Sequence, residues 1–126
     1  MAVFPSGAQF HLEIAANEES RRIGYMFRER VGPQEGMLFL FDEAERHPFW
    51  MKNCKVNLDI IWIDAHQRVA EIAHDQPPCP GDGPCPNVFP MRVASYVLEV
   101  AGGTARRERL ALGDRVMLHL EPGRAP

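Results

Sequence analysis

The sequence predicts an α+β domain that is mostly β, a small antiparallel barrel or rolled sheet with two short helices. Three observations carry that prediction. Residues Phe10 to Ala15 alternate apolar and polar side chains, the signature of a half-buried strand. Met37 to Phe41 and Leu58 to Ile63 are short, nearly unbroken apolar runs bounded by turn residues, as in strands covered on both faces. Helical spacing appears only twice, after Asn17 and after Thr104.

The elements follow in order. Residues 1–9 read as an N-terminal tail and 10–120 as one compact domain, with 121–126 as a loose C-terminal tail. After the first strand, Asn17 offers an N-cap, with Glu18 and Glu19 in the first turn where the helix dipole favours negative charge. Ile23, Met26 and Phe27 fall at helical spacing, which predicts a helix over about 18–30, ending before Gly32-Pro33. Gly36 releases the strand Met37–Phe41, and Asp42 to Arg46 makes a polar turn. Phe49-Trp50-Met51 forms a second strand and Leu58–Ile63 a third, followed by a tight connection at Asp64–Gln67 into Arg68–Ala73. Meander pairing is the economical arrangement for strands so close in sequence. Ser95–Val100 returns to strand, and Gly102-Gly103 breaks it. Thr104 caps a short Arg-rich helix. The final strand is Arg115–Leu120, with Val116, Leu118 and Leu120 facing inward.

At 126 residues the chain suits a single domain, burying about two thirds of the surface its unfolded form exposes. Hydrophobic residues make up 45% and charged residues 25%, within the range of a soluble globular protein. With a net charge of −3 and no basic face interleaved with aromatics, nucleic-acid binding is not expected. No apolar run is long enough to span a membrane. The start lacks the features of a signal peptide, which leaves a cytoplasmic protein or a mature exported domain.

From Asp75 to Met91 the chain is rich in Pro and Gly and carries Cys79 and Cys85. A disulfide between them would contribute about 2 kcal/mol in the chain-entropy model and implies an oxidising compartment, so export to the periplasm or beyond is favoured over the cytoplasm. Two unpaired loop thiols are the second reading. A metal site is the weakest, since C-x5-C is not zinc spacing and no second ligand pair follows. Cys54 reads as a small buried hydrophobe. No metal or other cofactor is expected, because the histidines are scattered and no P-loop, dinucleotide fingerprint or nucleophile elbow occurs.

The candidate site centres on Phe49-Trp50-Met51-Lys52-Asn53. Lys52 and Asn53 can present a cation and an amide to an anionic or carbonyl-bearing ligand, with Phe49 and Trp50 as apolar walls. Equally, Lys52 can cover apolar surface and Asn53 satisfy backbone groups at a strand end. Asp59, inside an apolar strand, requires a partner, and Lys52 or an arginine such as Arg28 is the expected one. Glu99 poses the same question, although strand alternation can simply point it to solvent.

In order along the chain stand Gly24-Tyr25-Met26-Phe27-Arg28, Gly36-Met37-Leu38-Phe39, Phe49-Trp50-Met51-Lys52-Asn53, Leu58-Asp59-Ile60-Ile61, Tyr96-Val97-Leu98-Glu99-Val100 and Gly113-Asp114-Arg115-Val116. Over about residues 10–120 this set resembles the bacterial and archaeal family called domain of unknown function 192. The resemblance implies a compact, mostly β, barrel-like domain, often exported, with a proline- and cysteine-containing loop. Cys54 departs from the family, whose members usually have threonine after Lys-Asn, and a thiol is the poorer hydrogen-bond partner. The family brings no assigned reaction. The expected function is therefore a non-catalytic domain binding an unknown small molecule or protein at the aromatic–lysine patch, in the cell envelope. The alternative is a small hydrolase or lyase using Lys52, Asn53 and one carboxylate from Asp59 or Glu99. Redox or metal handling by the cysteines is a third.

Overall fold

The computed structural model describes residues 1–120; the expected tail at 121–126 lies outside them. Seven strands and two short helices follow one another as β1 (Ala2–Val3), β2 (Gln9–Ala15), α1 (Glu18–Ile23), β3 (Glu35–Glu45), β4 (Leu58–Ile63), β5 (Val69–Gln76), β6 (Ala94–Ala101), α2 (Thr104–Arg107) and β7 (Met117–Leu118). They form one curled sheet in the order β5-β4-β6-β3-β2-β1-β7. The two ends of the curl approach each other at an Arg68–Arg115 bridge, where the Val116 N–H donates to the Gln67 carbonyl at 2.8 Å. The result is a half-barrel, in line with the expected mostly-β class.

Simple meander pairing holds only for the β1–β2 and β4–β5 hairpins. β2 and β3 pair in parallel through the α1 crossover, and β6 inserts between β3 and β4, antiparallel to both. Burial explains the central position of β3, β4 and β6. Every residue of β4 is buried, and its alternate side chains feed two separate cores. Ile61 and Ile63 join Phe4, Phe10, Leu98 and Val116 on one face, whereas Ile60 and Trp62 join Tyr25, Phe39, Met51 and Val97 on the other.

Several boundaries differ from expectation for local reasons. Residues 2–3 are integral to the sheet rather than a tail: β1 pairs with both β2 and β7, and Ala2 and the adjoining Phe4 are buried. α1 begins as predicted, with Asn17 and Ser20 in a reciprocal capping box, but stops at Gly24. Gly24 has φ of +47°, and a Cβ there would meet the Phe39 ring at 3.2 Å, so only glycine lets the chain turn down onto β3. Tyr25 and Met26 are buried by that turn, not by a helix face. β3 continues through the polar residues to Glu45 because its pairing with β6 resumes there after a register shift. Phe49-Trp50-Met51 is no strand; it is held by isolated bridges, Phe49 to Val88 and Lys52 to Cys79. Gly103, with φ of +89°, takes the N-cap position of α2 and Thr104 is its first residue. The last strand is only two residues long, so Val116 is buried while Leu120 is 40% exposed.

Candidate functional site

Three parts of the chain meet over the outer face of β3 and β6. β3 supplies Phe39 and Phe41, and β6 supplies Glu99. The turn after α1 supplies Tyr25 and Met26, and the irregular segment before β4 supplies Phe49, Trp50, Lys52 and Cys54. Together they line a cavity of about 460 Å³. Five of its lining residues are aromatic, and the rings interlock edge to face: Phe39 with Phe49 at 4.8 Å between centroids, and Phe49 with Trp62 behind the wall at 6.2 Å.

The irregular segment is fixed despite its lack of regular structure. Phe49 and Val88 exchange backbone hydrogen bonds at 3.0 and 2.6 Å, the Asn53 N–H donates to the Cys79 carbonyl at 3.0 Å, and the buried Trp62 indole N–H donates to the His47 carbonyl at 2.8 Å. Cys79 and Cys85 are joined in a disulfide, the first of the expected readings, which staples the loop that backs this segment. Arg21 closes the α1 side: its guanidinium donates to the carbonyls of Ala16 and Leu40 at 2.7 and 2.8 Å and lies 5.4 Å from the Phe41 ring centre. The Lys52 ammonium lies 5.2 Å from the Trp50 ring centre, a cation–π placement.

Glu99 is the unusual group. Strand alternation allowed it to face solvent; instead it is 3% exposed, because the turn after α1 and the segment before β4 cover that face of β6. Among the described residues its carboxyl has no ion-pair partner, and burial pushes its pKa up to about 8. The Tyr25 hydroxyl beside the same cavity is buried with no hydrogen-bond partner. Burial foremost, then the carboxylates of Glu13 and Glu99, hold that phenol protonated. Burial and, secondarily, Glu99 push the Cys54 thiol up to about 12, so at neutral pH it is no thiolate nucleophile. The cavity thus combines apolar walls with three buried protic groups.

Of the seven ligand-site candidates, the structure brings Phe49, Trp50, Lys52 and Glu99 to this cavity and leaves out Arg28, Asn53 and Asp59. Arg28 forms a two-pronged pair with Glu13 at 2.7 and 2.9 Å. Asn53 occupies a turn with φ of +59°, and its carbonyl accepts the Phe27 N–H at 2.9 Å; Asn tolerates this left-handed conformation. Asp59 is fully buried, but the partner expected from sequence, Lys52 or Arg28, is not the one it has. Its carboxylate accepts backbone N–H groups from Asp75, Gly103 and Ala105 at 2.7, 3.1 and 2.8 Å, which tie β5 and the start of α2 to β4. Lys52, Asn53 and Asp59 therefore do not converge as a reactive set.

Tyr25, Phe39, Phe41, Arg21 and Arg22 are among the lining residues that sequence reasoning did not single out as site candidates. Gly24 was the available signal: a glycine in the middle of a helical pattern marks a break, and the break is what turns Tyr25 inward. Among the described residues no group of three or more His, Cys, Asp or Glu side chains is placed to hold a metal ion. No helix there is long and apolar enough to cross a membrane.

Two crystal structures resemble the chain closely. A protein of unknown function from Novosphingobium aromaticivorans DSM 12444 superposes with a TM-score of 0.79 at 33% identity, covering 93% of this chain and 81% of the other. A protein from Sinorhizobium meliloti 1021, described as a candidate transcription regulator, gives a TM-score of 0.79 at 29% identity, covering 92% of this chain and 88% of the other. No curated protein matches the chain. The profile of the family described as uncharacterized ACR, DUF192, matches residues 1–118, and the chain belongs to that family.

Proposed function

We propose that this protein is a non-catalytic binding domain that takes a small amphipathic molecule into the aromatic cavity, with Lys52 at the rim. The observation that carries this reading is a cavity walled by five aromatic residues, holding a buried Tyr25 hydroxyl with no hydrogen-bond partner beside Glu99, whose carboxyl has no ion-pair partner among the described residues. Buried polar groups are normally hydrogen-bonded and buried acids paired, so the free Tyr25 hydroxyl and the unpaired Glu99 support a molecule that completes them. Binding is favoured over turnover because the Cys54 thiol and Tyr25 phenol are held protonated, and because the Lys52, Asn53 and Asp59 set is dispersed. The description of the Sinorhizobium meliloti relative does not carry over, since a chain of net charge −3 lacks the basic footprint that nucleic acid requires. The Cys79–Cys85 disulfide supports an oxidising compartment such as the cell envelope.

A thermal-shift screen of small metabolites on the intact protein and on Lys52→Ala tests the proposal. A saturable shift that weakens in the variant is expected. Turnover of the binding compound, lost in the same variant, would contradict the non-catalytic reading.

A further inference from the structure

We infer that the cavity's ligand carries an ammonium group, which pairs with the Glu99 carboxylate between the aromatic walls, and an anionic group that trails to Lys52 and Arg22. This rests on the cavity being a binding site and goes on to name the chemistry of its ligand.

The argument starts from missing countercharge. A buried carboxylate needs a cation or several hydrogen bonds, and Glu99 has no ion-pair partner among the described residues. None of the nearby cations forms an ion pair with it. Arg28 is paired with Glu13, Arg21 is bound to two backbone carbonyls, and the Lys52 ammonium lies over Trp50. Consistently, burial alone accounts for the raised pKa of Glu99, and no cation offsets it. The walls supply the second half of the argument, because the faces of aromatic rings attract organic cations. Lys52 and Arg22 line the same cavity, and Arg22 is exposed. A molecule cationic at one end and anionic at the other complements both features.

The proton balance gives the inference a distinct signature. Below about pH 8 the free site holds Glu99 as a neutral acid, so docking of an ammonium expels that proton to solvent and forms an ammonium–carboxylate pair. Affinity must then rise with pH and level off above that value. Tyr25 and Cys54 also face the cavity, but both are pushed upward and stay protonated through this range. Arg21, Arg22, Lys52 and Glu18 complete its charged lining. A ligand that accepted a hydrogen bond from neutral Glu99 would show the opposite trend.

The test uses the full chain and three probes built on one benzene ring: 4-(aminomethyl)benzoate, 4-methylbenzoate and benzylamine. Binding is followed by the NMR shifts of Tyr25, Trp50 and Glu99 at pH 6 and pH 8.5. 4-(Aminomethyl)benzoate is expected to bind at least about tenfold more tightly at the higher pH, and Glu99→Gln to weaken it by about tenfold or more. Benzylamine should keep the pH trend with lower affinity. Binding of 4-methylbenzoate equal to or tighter than that of 4-(aminomethyl)benzoate, or affinity that falls with pH, would overturn the ammonium assignment while leaving the cavity as a site. No shift of these resonances with any probe would overturn both. The pH trend is read on the unsubstituted chain, so the outcome does not depend on the variant folding.

Discussion

Asp59 and Glu99 are two buried acids on neighbouring strands, one register step apart, facing opposite sides of the same sheet. Asp59 pairs across β4–β6 with Val100, and Glu99 with Ile60. Asp59 lies on the barrel's inner side, where three backbone N–H groups converge on its carboxylate and fix the start of α2. Glu99 lies on the outer side, under a turn and an irregular segment, with no chain partner among the described residues to balance it. Both acids interrupt apolar strands in the sequence, so burial does not distinguish them. The completeness of the hydrogen bonding does. A hydrogen-bonded buried acid is part of the frame, whereas Glu99, without an ion-pair partner beside a cavity, is where we propose that a ligand binds.

The comparison predicts opposite responses to substitution. The largest effect is expected at Asp59: Asp59→Ala strands three backbone donors and should cost about 3 kcal/mol or more, read as a fall in the urea midpoint. A loss below about 1 kcal/mol would show that water replaces the carboxylate there and that Asp59 is not a structural hub. The disulfide loop provides the smaller, third reference point. Cys85→Ser opens a short loop and should cost about 2 kcal/mol. Because Cys79 packs against the outer core, its loosening should disturb resonances around Lys52 and Asn53 and spare Asp59. A disturbance that reached α2 would contradict the separation of the two faces.

Much of the frame was legible in the sequence. Alternation at Phe10–Ala15 and the apolar runs at Met37 and Leu58 identify strands because burial on one or two faces writes itself directly into residue type. The parallel β2–β3 pair was not legible, since pairing partners depend on which way the chain returns after α1, and that is a matter of tertiary packing rather than of local pattern. The early end of α1 at Gly24 hid half of the site. Phe49, Trp50 and Lys52 attract attention as a string, but Tyr25 enters the cavity only because the helix ends early. Glu99 was ambiguous for a related reason: strand periodicity says which face it occupies, not that an irregular segment covers that face. Asp59 misled in the other direction, because backbone donors leave no trace in residue type.

The most direct test of the unpaired state of Glu99 is folding stability against pH, measured by urea denaturation of the intact chain and of Glu99→Gln. The Glu99 pKa is raised in the folded protein from its ordinary 4.5 to about 8. Between those values the folded chain keeps a proton that the unfolded chain releases. Its contribution to stability therefore falls as pH rises, by up to about 1.4 kcal/mol per pH unit, and levels off above the folded value. The intact chain should lose stability from pH 5 to pH 8, and Glu99→Gln should lack this loss and overtake it at the alkaline end. Parallel curves for the two proteins would contradict the account, because they would mean that Glu99 titrates alike in the folded and unfolded chain and already has its partner.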